Sequence, residues 1–141
     1  MKFLIKLLLS AHIFIYRLTK GTIGGRIWLP LLLLNSTGRK TGRKRTTPVG
    51  YIRDGDCYVI TASNGGAARH PAWFYNLQSN PQTTIEVMGE TLAMVAQVAT
   101  PEEKKRLWAE LIKTAPGFEQ YQKRTTREIP MIILCPVEKG A

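Results

Sequence analysis

Arg45-Thr-Thr-Pro-Val-Gly-Tyr-Ile-Arg-Asp-Gly-Asp-Cys-Tyr-Val-Ile-Thr-Ala62 is the stretch on which the fold turns. Arg45 to Arg53 reads as a strand interrupted by Pro48 and Gly50. Pro48 cannot donate to a ladder, so this strand is expected to lie at an edge or to carry a bulge there. Asp54-Gly55 marks a tight hairpin turn. Cys57 to Ala62 then alternates and is rich in β-formers. Two strands joined this tightly run antiparallel.

Outward from this hairpin the pattern continues. Upstream, Leu31 to Asn35 is an apolar run of strand length and reads as a buried strand. Downstream, Thr83 to Val87 and Thr91 to Val98 form two strands around Gly89, and Ile129 to Leu134 is a last, fully apolar strand. Helices fall between them. Pro71 can open a helix at its first position, and Trp73, Asn76 and Leu77 then share one face until Asn80-Pro81 ends it. Thr100-Pro-Glu-Glu103 carries a capping box. Its helix contains Leu107, Trp108, Leu111 and Ile112 and stops at Pro116-Gly117. A short helix over Phe118 to Arg124 follows. The expected order is α-β-β-β-α-β-β-α-α-β. Such an α+β chain, with about six mostly antiparallel strands and flanking helices, can close into a barrel. The 141 residues fit one such domain. It is expected over residues 21–141, after a helical segment at 1–20, with Lys20-Gly-Thr-Ile-Gly-Gly25 as a flexible connector.

The formal net charge is +10, and it is unevenly spread. No acidic residue precedes Asp54, whereas Lys2, Lys6, Arg17, Lys20, Arg26, Arg39, Lys40, Arg43, Lys44, Arg45 and Arg53 all lie before it. The N-terminal part is therefore suited to an anionic partner: a phosphorylated cofactor, a lipid surface or a nucleic acid. The opening run, MKFLIKLLLSAHIFIY, is broken by Lys6 and His12 and falls short of the roughly 20 residues that span a bilayer. It lacks the small-residue cleavage pattern of a signal peptide. Phe3, Leu4, Leu7, Leu8 and Leu9 favour one side of a helix. Three readings stand: an interfacial helix lying on a membrane, a helix packed on the domain's own core, or a cleaved or uncleaved targeting segment. Cys57 and Cys135 are the only cysteines. Far apart in apolar or strand-like runs, they are expected to be buried free thiols behaving as small hydrophobes. With His12 and His70 scattered, no metal site is expected.

Several familiar chemistries are absent. There is no H-E-x-x-H and no C-x-x-C. Gly38-Arg-Lys-Thr-Gly42 has one residue too few between its glycines for a P-loop, and Arg43 stands where Lys is required. No nucleophile has a base paired with it in sequence. An enzyme built this way would rely on a bound cofactor.

Two stretches carry the chemistry that remains. In Thr37-Gly-Arg-Lys-Thr-Gly-Arg-Lys-Arg45, glycines let backbone N–H groups approach a ligand, and Arg39, Lys40 and Arg45 offer charge and forked hydrogen bonds to phosphate or carboxylate. A solvated basic hairpin tip is the simpler alternative. A nucleic-acid patch is disfavoured because no aromatic residues interleave with the cations. In Ala62-Ser-Asn-Gly-Gly66, followed by His70-Pro-Ala-Trp-Phe-Tyr-Asn76, a glycine pair could let a flat ring press on the backbone. Trp73 could stack there and Asn76 could hydrogen-bond, although Trp73 would serve equally as core.

Leu33 to Pro48, Ala62 to Leu77 and Arg127-Glu-Ile-Pro130 together resemble the deazaflavin-dependent nitroreductase family, in order, from about Ile15 to Pro136. The resemblance implies a split β-barrel like that of flavin-reductase and pyridoxine-phosphate-oxidase proteins. It also implies binding of reduced 8-hydroxy-5-deazaflavin, coenzyme F-420, whose tail carries a phosphate and glutamates. Arg39, Lys40 and Arg45 match the family's basic positions near that tail. Thr46, Thr47 and Pro48 match the strand along which the cofactor lies. Ser63, Asn64, Gly65, Gly66, Trp73 and Asn76 match positions around the ring. The implied reaction passes a hydride to a quinone, nitro compound or activated alkene.

Some members have tyrosines where this chain has Ala115 and Phe118, while Tyr121 is retained. The expected acceptor site is accordingly larger and more apolar, suited to quinones, with Ser63 and Tyr121 as candidate hydrogen-bond or proton donors. A lipid-soluble acceptor would fit a cytoplasmic enzyme held peripherally at the inner membrane face. The alternatives are an FMN-dependent reductase of the same fold and a non-enzymatic cofactor- or nucleic-acid-binding protein.

Overall fold

The computed structural model describes residues 2–18 and 29–137. The connector expected at Lys20 to Gly25 lies outside the described residues. Helix α1 is Lys2–Leu18. Strands β1 (Leu31–Thr37), β2 (Lys44–Asp54) and β3 (Cys57–Thr61) follow, then a 3-10 turn at Asn64–Gly66 and helix α2 (Ala72–Ser79). Strands β4 (Gln82–Val87) and β5 (Glu90–Val98), helices α3 (Pro101–Thr114) and α4 (Phe118–Lys123), and strand β6 (Met131–Pro136) complete the chain. This is the order expected from the sequence, with the 3-10 turn added.

The six strands close into an antiparallel barrel in the order β1-β2-β3-β6-β5-β4. Turn chemistry explains the hairpins. Gly55 stands at φ +61° between Asp54 and Cys57, and Met88 and Gly89 both take positive φ between β4 and β5, which suits the twist of a two-residue hairpin loop. Pro48 behaves as expected. Its stretch of β2, Lys44 to Gly50, pairs with β1, whereas β3 meets β2 only from Tyr51 to Asp54. The missing N–H therefore costs no ladder bond, and the barrel is split at this point. Strand β6 begins two residues later than expected, because Pro130 has no N–H and the Ile129 N–H donates to the Gln122 side chain (3.1 Å) instead of a neighbouring strand.

Two apolar cores result. Inside the barrel, Leu32, Leu34, Ile60, Ile85, Met94 and Leu134 meet Trp73, Phe74 and Leu77 of α2, which covers one mouth. Burying each of these side chains contributes about 1.5–3 kcal/mol, enough to hold an eight-residue helix that would not persist alone. Outside the barrel, Leu107 and Leu111 of α3 pack on Val59, Met131 and Ile133. The α3 capping box is present: Glu103 N–H donates to Thr100 Oγ1 (3.2 Å) and Thr100 N–H to Glu103 Oε1 (2.9 Å).

The cysteine expectation is corrected. Cys57 and Cys135 form a disulfide, so the described residues include no free thiol. They sit one step beyond the Tyr58–Leu134 pair of β3 and β6, with Cα atoms 4.4 Å apart, the close approach of a facing antiparallel pair.

Helix α1 does not enter either core. Leu4, Ile5, Leu7, Leu8, Leu9, Phe14 and Ile15 are all exposed, Leu8 at 62% and Phe14 at 65%. A bidentate pair from Arg17 to Glu86 of β4 (2.9 and 2.8 Å) ties its end to the barrel. Asn35 of β1 joins this pair, donating to Glu86 (3.0 Å) while accepting from Thr46 Oγ1 (2.7 Å). The Arg17 hydrogen bond holds the Glu86 carboxyl below its ordinary value against the opposing effect of burial, and Asn35 adds to it. Among the described residues no helix is long and apolar enough to cross a membrane.

Candidate active site

One cleft gathers much of what the sequence singles out. The tip between β1 and β2 is closed by Gly38 N–H to Arg43 O (2.7 Å) and Gly42 N–H to Gly38 O (2.8 Å), with Gly42 at φ +71°. Asn76 of α2, buried, accepts from the Arg39 N–H (3.0 Å) and reaches Ser36 Oγ (3.5 Å). The Arg39 guanidinium stands 4.8 Å over the Tyr75 ring. Helix and loop thus face each other across a cleft of about 420 Å³, walled by Arg39, Lys40, Arg45, Thr47, Trp73 and Asn76 among others. None of its lining residues is acidic, and among the described residues no carboxylate pairs with Arg39, Lys40 or Arg45. Cations left without counter-charge in a concave site suit an anionic ligand.

The period of two along β2 divides the other expected positions. Arg45 and Thr47 face the cleft, whereas Thr46 turns to the opposite face and donates to Asn35. Pro48 shares the face of Thr46 and does not line the cleft. Trp73 belongs both to the barrel core and to the cleft wall. It is 7% exposed within the barrel core, and it also lines the cleft. Asn76 spends its amide on the loop backbone and Ser36, so its part is to fix the wall.

A second pocket of about 420 Å³ lies at α4, lined by Ala115, Pro116, Phe118, Tyr121 and Arg124 among others. Its surface is mainly apolar. Phe118 and Tyr121 meet edge to face at 5.3 Å, and the Arg124 guanidinium lies 5.7 Å from the Tyr121 ring centre. The Tyr121 phenol has no hydrogen-bond partner among the described residues, which leaves it for a ligand.

The Ser63–Gly66 segment lines neither pocket; it approaches Tyr121 and Arg124 of the second one at Gly66. The two glycines differ. Gly65 (φ +64°) faces open space. Gly66 (φ +83°) does not: a Cβ there would stand 2.7 Å from Tyr121 O and 2.9 Å from Arg124 Cβ. Gly66 is required by the approach of α4. Asn64, at φ 46°, donates to Arg69 O (3.0 Å) and closes the loop. The Ser63 hydroxyl is half-buried and has no hydrogen-bond partner among the described residues.

Sequence reasoning missed Arg127, His70 and Gln122. Arg127 binds the Ala62–His70 loop through several acceptors at once. Burial lowers the His70 pKa below its ordinary 6.5, and the Arg127 charge lowers it further, so the ring is neutral near pH 7. The one signal in the chain is Arg127-Glu-Ile-Pro130, which carries part of the family resemblance without disclosing what the arginine touches. His70 and Arg127 are 57 residues apart, and no local pattern links them.

The chain is similar to known proteins in sequence and in fold. The profile of the F420H(2)-dependent quinone reductase family matches residues 8–136. An F420H(2)-dependent quinone reductase of Mycobacterium tuberculosis strain H37Rv is 43% identical over 132 residues, covering 90% of this chain and 89% of the relative. Among solved structures, an F420-H2 dependent reductase designated FDR-A superposes with a TM-score of 0.69 at 31% identity, covering 74% of this chain and 93% of the other. An FAD-binding protein of Mesorhizobium loti shares the fold alone, with a TM-score of 0.52 at 11% identity over 77% of this chain and 79% of the other.

Proposed function

The chain belongs to the F420H(2)-dependent quinone reductase family, and on that premise we propose that the Arg39–Asn76 cleft holds the deazaflavin coenzyme while the α4 pocket receives the acceptor. The activity is hydride transfer from reduced deazaflavin to quinone or nitro acceptors. The observation that carries the assignment is the set of three cations lining one cleft without a carboxylate partner. A phosphate and glutamate tail needs such a donor set. Arg39 and Arg45 grip oxygens with a planar fork, and Lys40 adds a point charge. Trp73 offers an apolar edge beside them.

When bound, the deazaflavin supplies the hydride. The chain's own residues do the rest: they bind, orient and provide hydrogen bonds. Ala115 and Phe118 leave the α4 pocket apolar, which favours a quinone over a strongly polar acceptor. The unpartnered Tyr121 phenol and Ser63 hydroxyl are the donors at hand for the acceptor oxygens, since each carries an O–H group.

We further propose that α1 lies on an anionic membrane surface. Exposed leucines, isoleucines and Phe14 stand there with Lys6 and Arg17, and the sequence of residues 1–20 has four basic residues and no acidic one. A lipid-soluble acceptor would be met there.

Titration with the deazaflavin coenzyme, followed by fluorescence and run beside flavin mononucleotide, tests the cofactor assignment. Selective deazaflavin binding is expected. Lys40→Ala and Arg45→Ala should each weaken it by about tenfold or more, the scale of a lost hydrogen bond to a charged group. Unchanged affinity in both variants would move the cofactor elsewhere. Preference for flavin mononucleotide would overturn the deazaflavin reading.

A further inference from the structure

Arg127 connects the two pockets. Its guanidinium donates to Ser63 O (2.8 Å), Ala67 O (2.9 Å) and Ala62 O (3.2 Å). Its Nη1 also stands 2.9 Å from His70 Nδ1. A guanidinium has donors only, so His70 Nδ1 accepts and the ring proton sits on Nε2. No carboxylate pairs with Arg127 among the described residues. A half-buried cation held by neutral acceptors is desolvated without a counter-charge. Such an arrangement persists only while all of the acceptors converge, so it specifies one shape for the Ala62–His70 loop.

The backbone of Arg127 is anchored on the other side. Gln122 of α4 donates through Nε2 to Arg127 O (2.9 Å) and accepts from Ile129 N–H (3.1 Å). Helix α4 carries Phe118 and Tyr121 of the acceptor pocket. His70 leads through Pro71 into α2, which carries Ala72, Trp73 and Asn76 of the cofactor cleft. Gly66 seals the middle by letting the loop backbone touch Tyr121 O.

We propose that Arg127 is the positioning residue of this enzyme: through the Ser63–Gly66 loop it fixes the acceptor pocket relative to the cofactor cleft. It lines neither pocket itself and acts through Gln122, His70 and the three carbonyls. This inference rests on the assignment of the two pockets made above. It predicts that breaking the clamp misaligns donor and acceptor while leaving cofactor affinity in place.

The test has one arm that needs no cofactor. The Gly66 N–H donates to Ser63 O (2.8 Å) and the Ala67 N–H to Asn64 O (3.1 Å). In the free protein, Arg127→Lys should speed hydrogen exchange at these two amides by about tenfold or more, a local opening, with the Ile60 and Ile133 amides unchanged. The second arm compares binding and turnover. Arg127→Lys should keep the deazaflavin Kd within about threefold and lower kcat with a quinone by about tenfold to a hundredfold, the scale of an ångström's misplacement. Guanidinium ion should restore part of the activity of Arg127→Ala, and methylammonium should not. If Arg127→Ala does not fold, Gln122→Leu, which cuts only the backbone anchor, carries the same expectation. Unchanged exchange with unchanged kcat overturns the proposal, as does an equal fall in affinity and kcat. Failure of the wild-type protein to bind deazaflavin would instead overturn the pocket assignment, and the exchange arm would still stand.

Discussion

At the scale of single residues, the two glycines of the Ser63–Gly66 segment differ in what surrounds them. Both take positive φ, but only Gly66 has backbone within 3 Å of where a Cβ would be. Gly65→Ala should therefore cost about 1–2 kcal/mol, the strain of a left-handed non-glycine residue. Gly66→Ala should cost clearly more, because the new Cβ also displaces α4. Urea unfolding of both variants decides this, and equal losses would mean that α4 does not press on the loop. In the sequence the two glycines look alike and suggest one common purpose. Their spacing shows that the backbone needs freedom there, but the neighbour that makes Gly66 necessary lies 55 residues away at Tyr121 and 58 away at Arg124, beyond any local pattern. The same limit hides His70 and Arg127 from each other.

At the scale of elements, α1 and β2 show which parts of a segment's role are local. The amphipathic run of α1 is legible in the sequence, and Leu4, Ile5, Leu7, Leu8, Leu9, Phe14 and Ile15 stand exposed and join neither core. Deleting residues 1–20 should weaken binding to vesicles containing anionic lipid, since each basic residue near such a surface contributes about 1 kcal/mol. Co-sedimentation measures this, and equal binding by the truncated chain would sink the membrane proposal. For β2, the family resemblance groups Thr46, Thr47 and Pro48, yet alternate residues of a strand face opposite sides. Only Thr47, with Arg45, reaches the cleft. That division follows from the strand period alone, so it is a local property of the sequence.

At the scale of the whole molecule, the barrel brings distant segments together, and the Cys57–Cys135 disulfide is the plainest case. It joins β3 to β6 across 78 residues of sequence. Replacing both cysteines by alanine should lower the unfolding free energy by about 2–4 kcal/mol, as for other cross-links that close long loops. Denaturant unfolding reads this directly. A double variant as stable as the wild type, or two thiols titrating in the native protein, would show that the bond is not part of the working fold. Much else was settled by the chain locally. Hydrophobic period, the Asp54-Gly55 turn and the Thr100–Glu103 capping box determine which segments are strands and helices and in what order, because those choices depend on neighbours a few residues apart. The cationic character of the Arg39–Arg45 loop is likewise a property of composition. What tertiary structure alone decided is who meets whom: Cys57 with Cys135, Gly66 with α4, and Arg127 with the loop that links both pockets. Those contacts arise from closing six strands into one barrel, and the closure sets distances that sequence separation does not encode.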